Sequence, residues 1–130
     1  MSAFSDALSV SSSGLRAQAD RLRVVSENIA NVDTPGYRRK TLPFELGEGS
    51  DGVREVQAGD MRLDRSDLER IWDPHHPLAG PAGFYDGTNV DLIVELADAR
   101  EAQRSYEANL KMFEQTRQMS SSLMDLLRRG

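Results

Sequence analysis

The sequence predicts a mainly α, elongated protein in which two long antiparallel terminal helices form a coiled coil around an irregular or short-β middle segment. Three observations carry that prediction. All five prolines and eight of the ten glycines fall between residues 35 and 87, which leaves both ends almost free of helix breakers. Residues 4–32 and 92–127 each carry a heptad stripe with alternating steps of four and three. The 130-residue length suits one domain with a modest core. The chain accordingly divides into an N-terminal core helix (1–34), a Pro/Gly-rich middle with short strands and loops (35–88) and a C-terminal core helix (89–130).

In the first segment, Leu8, Leu15, Leu22 and Ile29 recur every seven residues, interleaved with Phe4, Ser11, Gln18, Val25 and Val32. The helix ends near Asn31. There Asp33 and Thr34 offer side-chain bonds to freed backbone groups, and Pro35-Gly36 fits a type II turn. Asn28 and Asn31 stand in an otherwise apolar last turn, and their amides need partners if buried. In the middle, Arg38–Leu46, Val53–Gln57 and Arg70–Trp72 have the partial alternation of short strands. Thr88 with Asp91 forms a candidate capping box for the second helix, and Asn89 is the other candidate cap. Its seam runs through Leu92, Leu96, Ala99, Gln103, Tyr106, Leu110, Phe113, Arg117, Ser120, Met124 and Leu127 without a slip. Arg128 and Arg129 suit the carbonyl end of the helix dipole. A helix from residue 90 to 128 is about 58 Å long at 1.5 Å per residue. A compact globule of this size has a radius of gyration of only about 14 Å. Each seam is interrupted by polar residues, which set register and partner at some loss of stability, so neighbouring subunits are expected to supply what one chain lacks.

Composition narrows the function. Hydrophobic residues make up 38% and charged residues 28%, and the formal net charge is −5, so nucleic acid is not an expected partner. The middle segment holds most of the acidity, with 7 basic and 11 acidic residues between positions 32 and 89. With no cysteine, disulfides, thiolate metal sites and cysteine nucleophiles are excluded. The N-terminus lacks the basic and apolar regions of a cleaved signal peptide, and the longest apolar runs are far short of a membrane span.

No catalytic constellation emerges. His75 and His76, the two histidines, are adjacent in a proline-bounded stretch where extended backbone points them apart, whereas zinc needs three or four converging ligands. The Ser11–Ser13 and Ser120–Ser122 runs lack a nucleophile elbow and read better as small residues that let helices approach closely. Glycines follow no phosphate-cradle spacing. The expectation is therefore no enzyme, no metal and no cofactor. The basic run Arg38-Arg39-Lys40 is read as intersubunit ion pairing.

Ala30-Asn31-x-x-Thr34-Pro35-Gly36-Tyr37, directly after an N-terminal amphipathic helix, resembles the signature of the bacterial flagellar rod, hook and filament-junction family. Three more stretches resemble its proximal rod members. They are Trp72-Asp73-Pro74-His75-His76-Pro77-Leu78-Ala79, Gly83-Phe84-Tyr85 before Asn89-Val90-Asp91, and Arg104-Ser105-Tyr106-Glu107-Ala108-Asn109 leading to Phe113 and Met119. The resemblance spans nearly the whole chain. It implies a structural subunit of the basal-body proximal rod, a hollow, helically built shaft crossing the periplasm and used for motility. It further implies export through the flagellar type III apparatus without a cleaved signal peptide. The implied partners are copies of itself, other proximal and distal rod proteins, and a secretion-gate adaptor at the rod base. Asn28, Ala30, Asn31, Thr34, Pro35, Gly36 and Tyr37 match the family motif, with the implied role of fixing the exit of the first helix. The implied assembly seam is Leu8, Leu15, Leu22, Val25, Ile29, Leu92, Leu96, Tyr106, Leu110, Phe113, Met124 and Leu127.

Competing readings are a sibling proximal rod protein, which Asp86–Leu92 also resembles, and a soluble coiled-coil adaptor or export chaperone. A third, a hydrolytic or metal-dependent enzyme, would centre on His75 and His76.

Overall fold

The computed structural model describes residues 2–49 and 52–130. Helix α1 (Ser2–Ala30) and helix α2 (Leu92–Arg129) flank six short strands. These are β1 (Lys40–Thr41), β2 (Phe44–Glu48), β3 (Arg54–Ala58), β4 (Arg62–Leu63), β5 (Arg70–Trp72) and β6 (Phe84–Asp86). At 38 residues, α2 runs about 57 Å. Asp91 caps it, accepting a hydrogen bond from the Ile93 amide at 3.0 Å. This corrects the expected caps: the Thr88 hydroxyl donates instead to the Val32 carbonyl (2.9 Å), and Asn89 is used elsewhere. Arg128 and Arg129 close the C-terminal turn of α2.

The helices pack antiparallel. Gly14 meets the Asn109 side chain, Arg21 meets Asp98 and Glu101, and Asn28 meets Glu95. At the far end Phe4 shares a shallow groove with Met119, Ser122, Leu123 and Leu126. Residues 121–130 are all exposed. The contact is made largely of small and polar side chains: Ser11, Ser13, Ala17, Asn28, Glu95 and Ala102 are buried, along with Val24 and Val25. Gly14 shows why. A Cβ there would lie 2.7 Å from the Asn109 amide oxygen, so the glycine leaves the space that the Asn109 side chain fills. The serine run at 11–13 serves the same approach, and Ser13 satisfies its hydroxyl on the Val10 carbonyl at 2.8 Å.

Small inner residues rotate α2 relative to its apolar stripe. The heptad row through Ala99, Tyr106, Phe113 and Ser120 is half-buried, but the second inner row is Glu95, Ala102, Asn109 and Thr116. The neighbouring row of Leu96, Gln103, Leu110, Arg117 and Met124, which apolar periodicity places inside, faces out.

All strand pairs are antiparallel ribbons of two. β2 pairs β3 with Leu46 opposite Val56, β1 pairs β4, and β5 pairs β6 with Ile71 opposite Tyr85. β3 packs on α1, and β1 also touches α1. The strands expected over 38–46, 53–57 and 70–72 correspond to β1 with β2, β3 and β5. The partners β4 and β6 lie outside the strands the sequence predicts.

Candidate functional site

The densest polar constellation lies where α1 ends and α2 begins. Asn31 terminates α1: its amide donates to the Glu27 carbonyl (2.8 Å), and the Thr34 hydroxyl donates to its Oδ1 (3.1 Å). Pro35 and Gly36 then turn the chain. The Tyr37 amide returns to the Thr34 carbonyl at 3.1 Å, and Gly36 takes the positive φ (79°) of the third residue of a type II turn. The Gly36 amide bonds the Gly87 carbonyl (3.0 Å), tying this turn to the segment that leads into α2. Ala30, Thr34, Pro35 and Gly36 are exposed.

The turn carries Tyr37 back over Asn28, which is 1% exposed. The amide of Asn28 is fully engaged. Its Oδ1 accepts from the Tyr37 hydroxyl (2.8 Å) and the Lys40 amide (2.9 Å), while its Nδ2 donates to the Lys40 carbonyl (2.9 Å) and Glu95 Oε2 (3.3 Å). Glu95 is fully buried, and its other oxygen accepts from Arg39 Nε. Arg39 also reaches Asp98 (3.0 Å), and Arg21 of α1 bridges Asp98 and Glu101 (both 3.3 Å). The Asn89 side chain accepts from the Arg39 amide (2.6 Å) and donates to the Asp64 carbonyl (3.0 Å). One polar knot thus joins α1, the turn, β1, the 64–66 loop and α2.

A buried ion pair is not a large net stabiliser, because desolvation offsets the Coulombic gain; breaking it strands a charge. Its directional bonds instead specify register. Burial holds the Tyr37 phenol above its ordinary pKa: Lys40 opposes the shift, and Glu27 and Glu95 add to it. Burial alone would lower the Arg39 pKa, but its hydrogen bond to Glu95 and the charges of Glu95, Asp98 and Asp64 raise it. At Asp64 the backbone and side-chain hydrogen bonds of Ser66 lower the carboxyl pKa.

The run Arg38-Arg39-Lys40, expected to pair between subunits, is consumed within the chain. Arg38 binds the Asp64 and Ser66 carbonyls, Arg39 binds Glu95 and Asp98, and Lys40 binds Glu27 at 3.0 Å. Proximity of the turn to the acidic start of α2, unreadable in one dimension, decides this. His76 stacks on Tyr85 at 3.9 Å, and His75 is exposed. Among the described residues no three His, Asp or Glu side chains are grouped to hold a metal, and no helix is long and apolar enough to cross a membrane.

The seam residues divide sharply. Val25 is buried, and Leu8, Leu15, Leu22, Ile29, Tyr106 and Phe113 are half-buried. Leu92, Leu96, Leu110, Met124 and Leu127 are exposed, Leu127 by 66%. Sequence reasoning missed Glu95, Arg39 and Asn89 as parts of the knot; the unpartnered amide of Asn28 was the one signal pointing there.

The fold is thus an antiparallel helix pair closed at one end by a polar knot, with an apolar face left open along the longer helix. Residues 8–38 match the family described as flagella basal body rod protein, and residues 82–126 match the C-terminal domain of the flagellar basal body rod FlgEFG proteins. The FlgC protein of Agrobacterium fabrum, a flagellar basal-body rod protein, is 45% identical across 98% of both chains. FlgC of Bacillus subtilis is 32% identical over 97% of this chain and 99% of its own, and FlgC of Aquifex aeolicus is 33% identical over 88% and 90%. The chain belongs to the FlgC family of flagellar basal-body rod proteins. It is a structural subunit of the basal-body rod, not an enzyme, and it works in assembly with other rod proteins. The names of these relatives favour this branch over its sibling.

Proposed function

We propose that this chain builds the proximal part of the rod, with residues 1–34 and 89–130 as its helical wall and 35–88 outside it, and that it reaches that position unfolded, through the type III export apparatus. The single observation supporting this is the open face of α2. Leu92, Leu96, Leu110, Met124 and Leu127 stay exposed in one chain although their spacing is that of a seam. Contacts that repeat head to tail without closing a ring generate a tube, and each copy then covers the face its neighbour leaves bare. The seam set identified by sequence becomes an assembly seam shared between chains. The rod crosses the periplasm, and its base contacts a secretion-gate adaptor. The motif residues Asn28, Ala30, Asn31, Thr34, Pro35, Gly36 and Tyr37 hold the helix pair in the geometry such packing requires. A Leu123→Asp, Leu127→Asp variant tests the reading. The expected result is a chain that is made and keeps its helix content but is absent from purified basal bodies, in cells that do not swim. Normal incorporation and swimming would overturn it, as would a wild-type chain that stays in the cytoplasm as an adaptor would.

A further inference from the structure

The face that α2 turns toward α1 is held by directional bonds at one end only. In its inner row, Asn109 donates to the Ser105 carbonyl (2.9 Å) and Thr116 to the Met112 carbonyl (2.8 Å), both within α2. Ala102 is fully buried and has no polar side-chain group. Glu95 alone in that row bonds beyond its own helix, to Arg39 and to Asn28 (3.3 Å). Asp98 and Glu101 add ion pairs to Arg39 and Arg21 on its flank. Beyond Glu101, among the described residues, no side-chain hydrogen bond or ion pair joins α2 to the rest of the chain.

A second row competes for the same place. Leu96, Gln103, Leu110 and Arg117 continue the heptad pattern with the half-buried Tyr106 and Phe113, yet Leu96 is 49% and Leu110 36% exposed. The row through Tyr106 and Phe113 serves both arrangements. A turn of α2 about its axis by about 50°, half the 100° between successive residues, therefore exchanges one for the other. That turn buries two leucines and returns the Glu95 carboxylate to water, and a buried ion pair offers little net stability against apolar packing. Arg117 can carry its charge out to water along its stem, which leaves Gln103 as the polar cost of the turn.

We propose that the Glu95–Arg39 pair is a rotational latch. It holds α2 in the orientation that keeps Leu96 and Leu110 outside, against a second packing of the same two helices that buries them. A buried polar residue that selects one coiled-coil arrangement at some loss of stability is the general precedent. Arg39 belongs to neither helix, so the turn after α1 decides which face the longer helix shows to solvent. The latch concerns a single chain; only its consequence, that the apolar row stays available to a neighbour, rests on the rod reading above.

The chain has no cysteine, so single thiols report the orientation. Ala102→Cys and Gln103→Cys are made separately, and maleimide labelling rates are measured on the purified chain, with circular dichroism to follow helix content. With the latch intact, Gln103→Cys is expected to react about tenfold faster than Ala102→Cys, because position 102 is buried and 103 is exposed. Arg39→Glu sets a carboxylate against Glu95 and Asp98 and is expected to reverse that order. Arg39→Gln, a milder break, is expected to slow Gln103→Cys while speeding Ala102→Cys. Glu95→Gln keeps an acceptor for Arg39 and is expected to retain the native order. Adding Leu96→Gln and Leu110→Gln to Arg39→Glu is expected to abolish the reversal, since the competing row then has no apolar side chain to bury. An unchanged order in both Arg39 variants overturns the latch. So does fast labelling at both positions in both variants, which means that the helices part rather than turn. A reversal that survives Leu96→Gln and Leu110→Gln overturns the second packing. The turned Arg39→Glu chain is expected to be missing from basal bodies; its normal incorporation leaves the latch standing and overturns the reading of the open row as an assembly face.

Discussion

The two ends of the helix pair solve opposite problems. At the closed end, every polar atom of the Asn28 amide is engaged, Glu95 is fully buried against Arg39, and side chains from five segments interlock. At the open end, Phe4 meets α2 across a shallow groove, and Met119, Leu126 and Leu127 are more than half exposed. Hydrophobic contact is nondirectional and tolerates sliding, whereas a satisfied buried network tolerates one arrangement. The molecule thus fixes its own register at one end and leaves apolar surface bare at the other.

The largest break of this contrast is Arg39→Ala. It strands Glu95 as a buried charge and is expected to cost about 3–5 kcal/mol, read as a shifted urea midpoint of the purified chain. Asn28→Ala leaves the Tyr37 hydroxyl and both Lys40 backbone groups unpaired and is expected to cost about 1–3 kcal/mol in the same assay. Tyr37→Phe removes one hydrogen bond, at about 1 kcal/mol, and sharpens the comparison through pH. A phenol whose pKa is raised by folding ionises first in the unfolded chain. Its contribution is therefore fully present below the ordinary value near 10 and is lost as pH rises through the folded value. Alkaline titration of stability is expected to show a decline above pH 10 that is shallower in the phenylalanine variant.

On the exposed face of α2, Leu110 is 36% exposed. The sequence expectation of a fully buried seam implies a loss of about 2–5 kcal/mol for Leu110→Ala. In a single chain the partial exposure reduces this to about 1 kcal/mol or less, while the proposed assembly seam predicts failure to swim in soft agar. The smallest effect falls at the crossing. Gly14→Ala gains about 1 kcal/mol of helix propensity and displaces the Asn109 amide, so it is expected to be near neutral. Pairing it with Asn109→Ala is expected to raise the unfolding midpoint slightly.

Much of the frame was legible. Proline and glycine punctuation locates both helices, Pro35-Gly36 is readable as a turn from its chemistry alone, and the amides of Asn28 and Asn31 in an apolar turn call for partners if buried. Periodicity could not tell which face of α2 turns inward. Apolar spacing selects Leu96 and Leu110, but Gly14, Ser13 and Ala17 admit only a close approach, which favours Ala102 and Asn109 on the facing helix. Glu95 lies one residue from the expected row, so apolar periodicity gives no sign of its burial. Arg39 was legible as a charge but not as a clamp, because its partners lie 56 and 59 residues away.

The knot also has a mechanical meaning. Under a load along the helix axes, the two helices resist slip unequally along their length. Hydrogen bonds weaken steeply once geometry departs from the short, near-linear optimum, so the segment around Asn28, Arg39 and Glu95 behaves as a stiff key that blocks axial slip. Toward Phe4 and Leu126, apolar surfaces glide with little change in buried area and act as a compliant bearing. A single subunit therefore places stiffness and compliance at opposite ends of one helix pair.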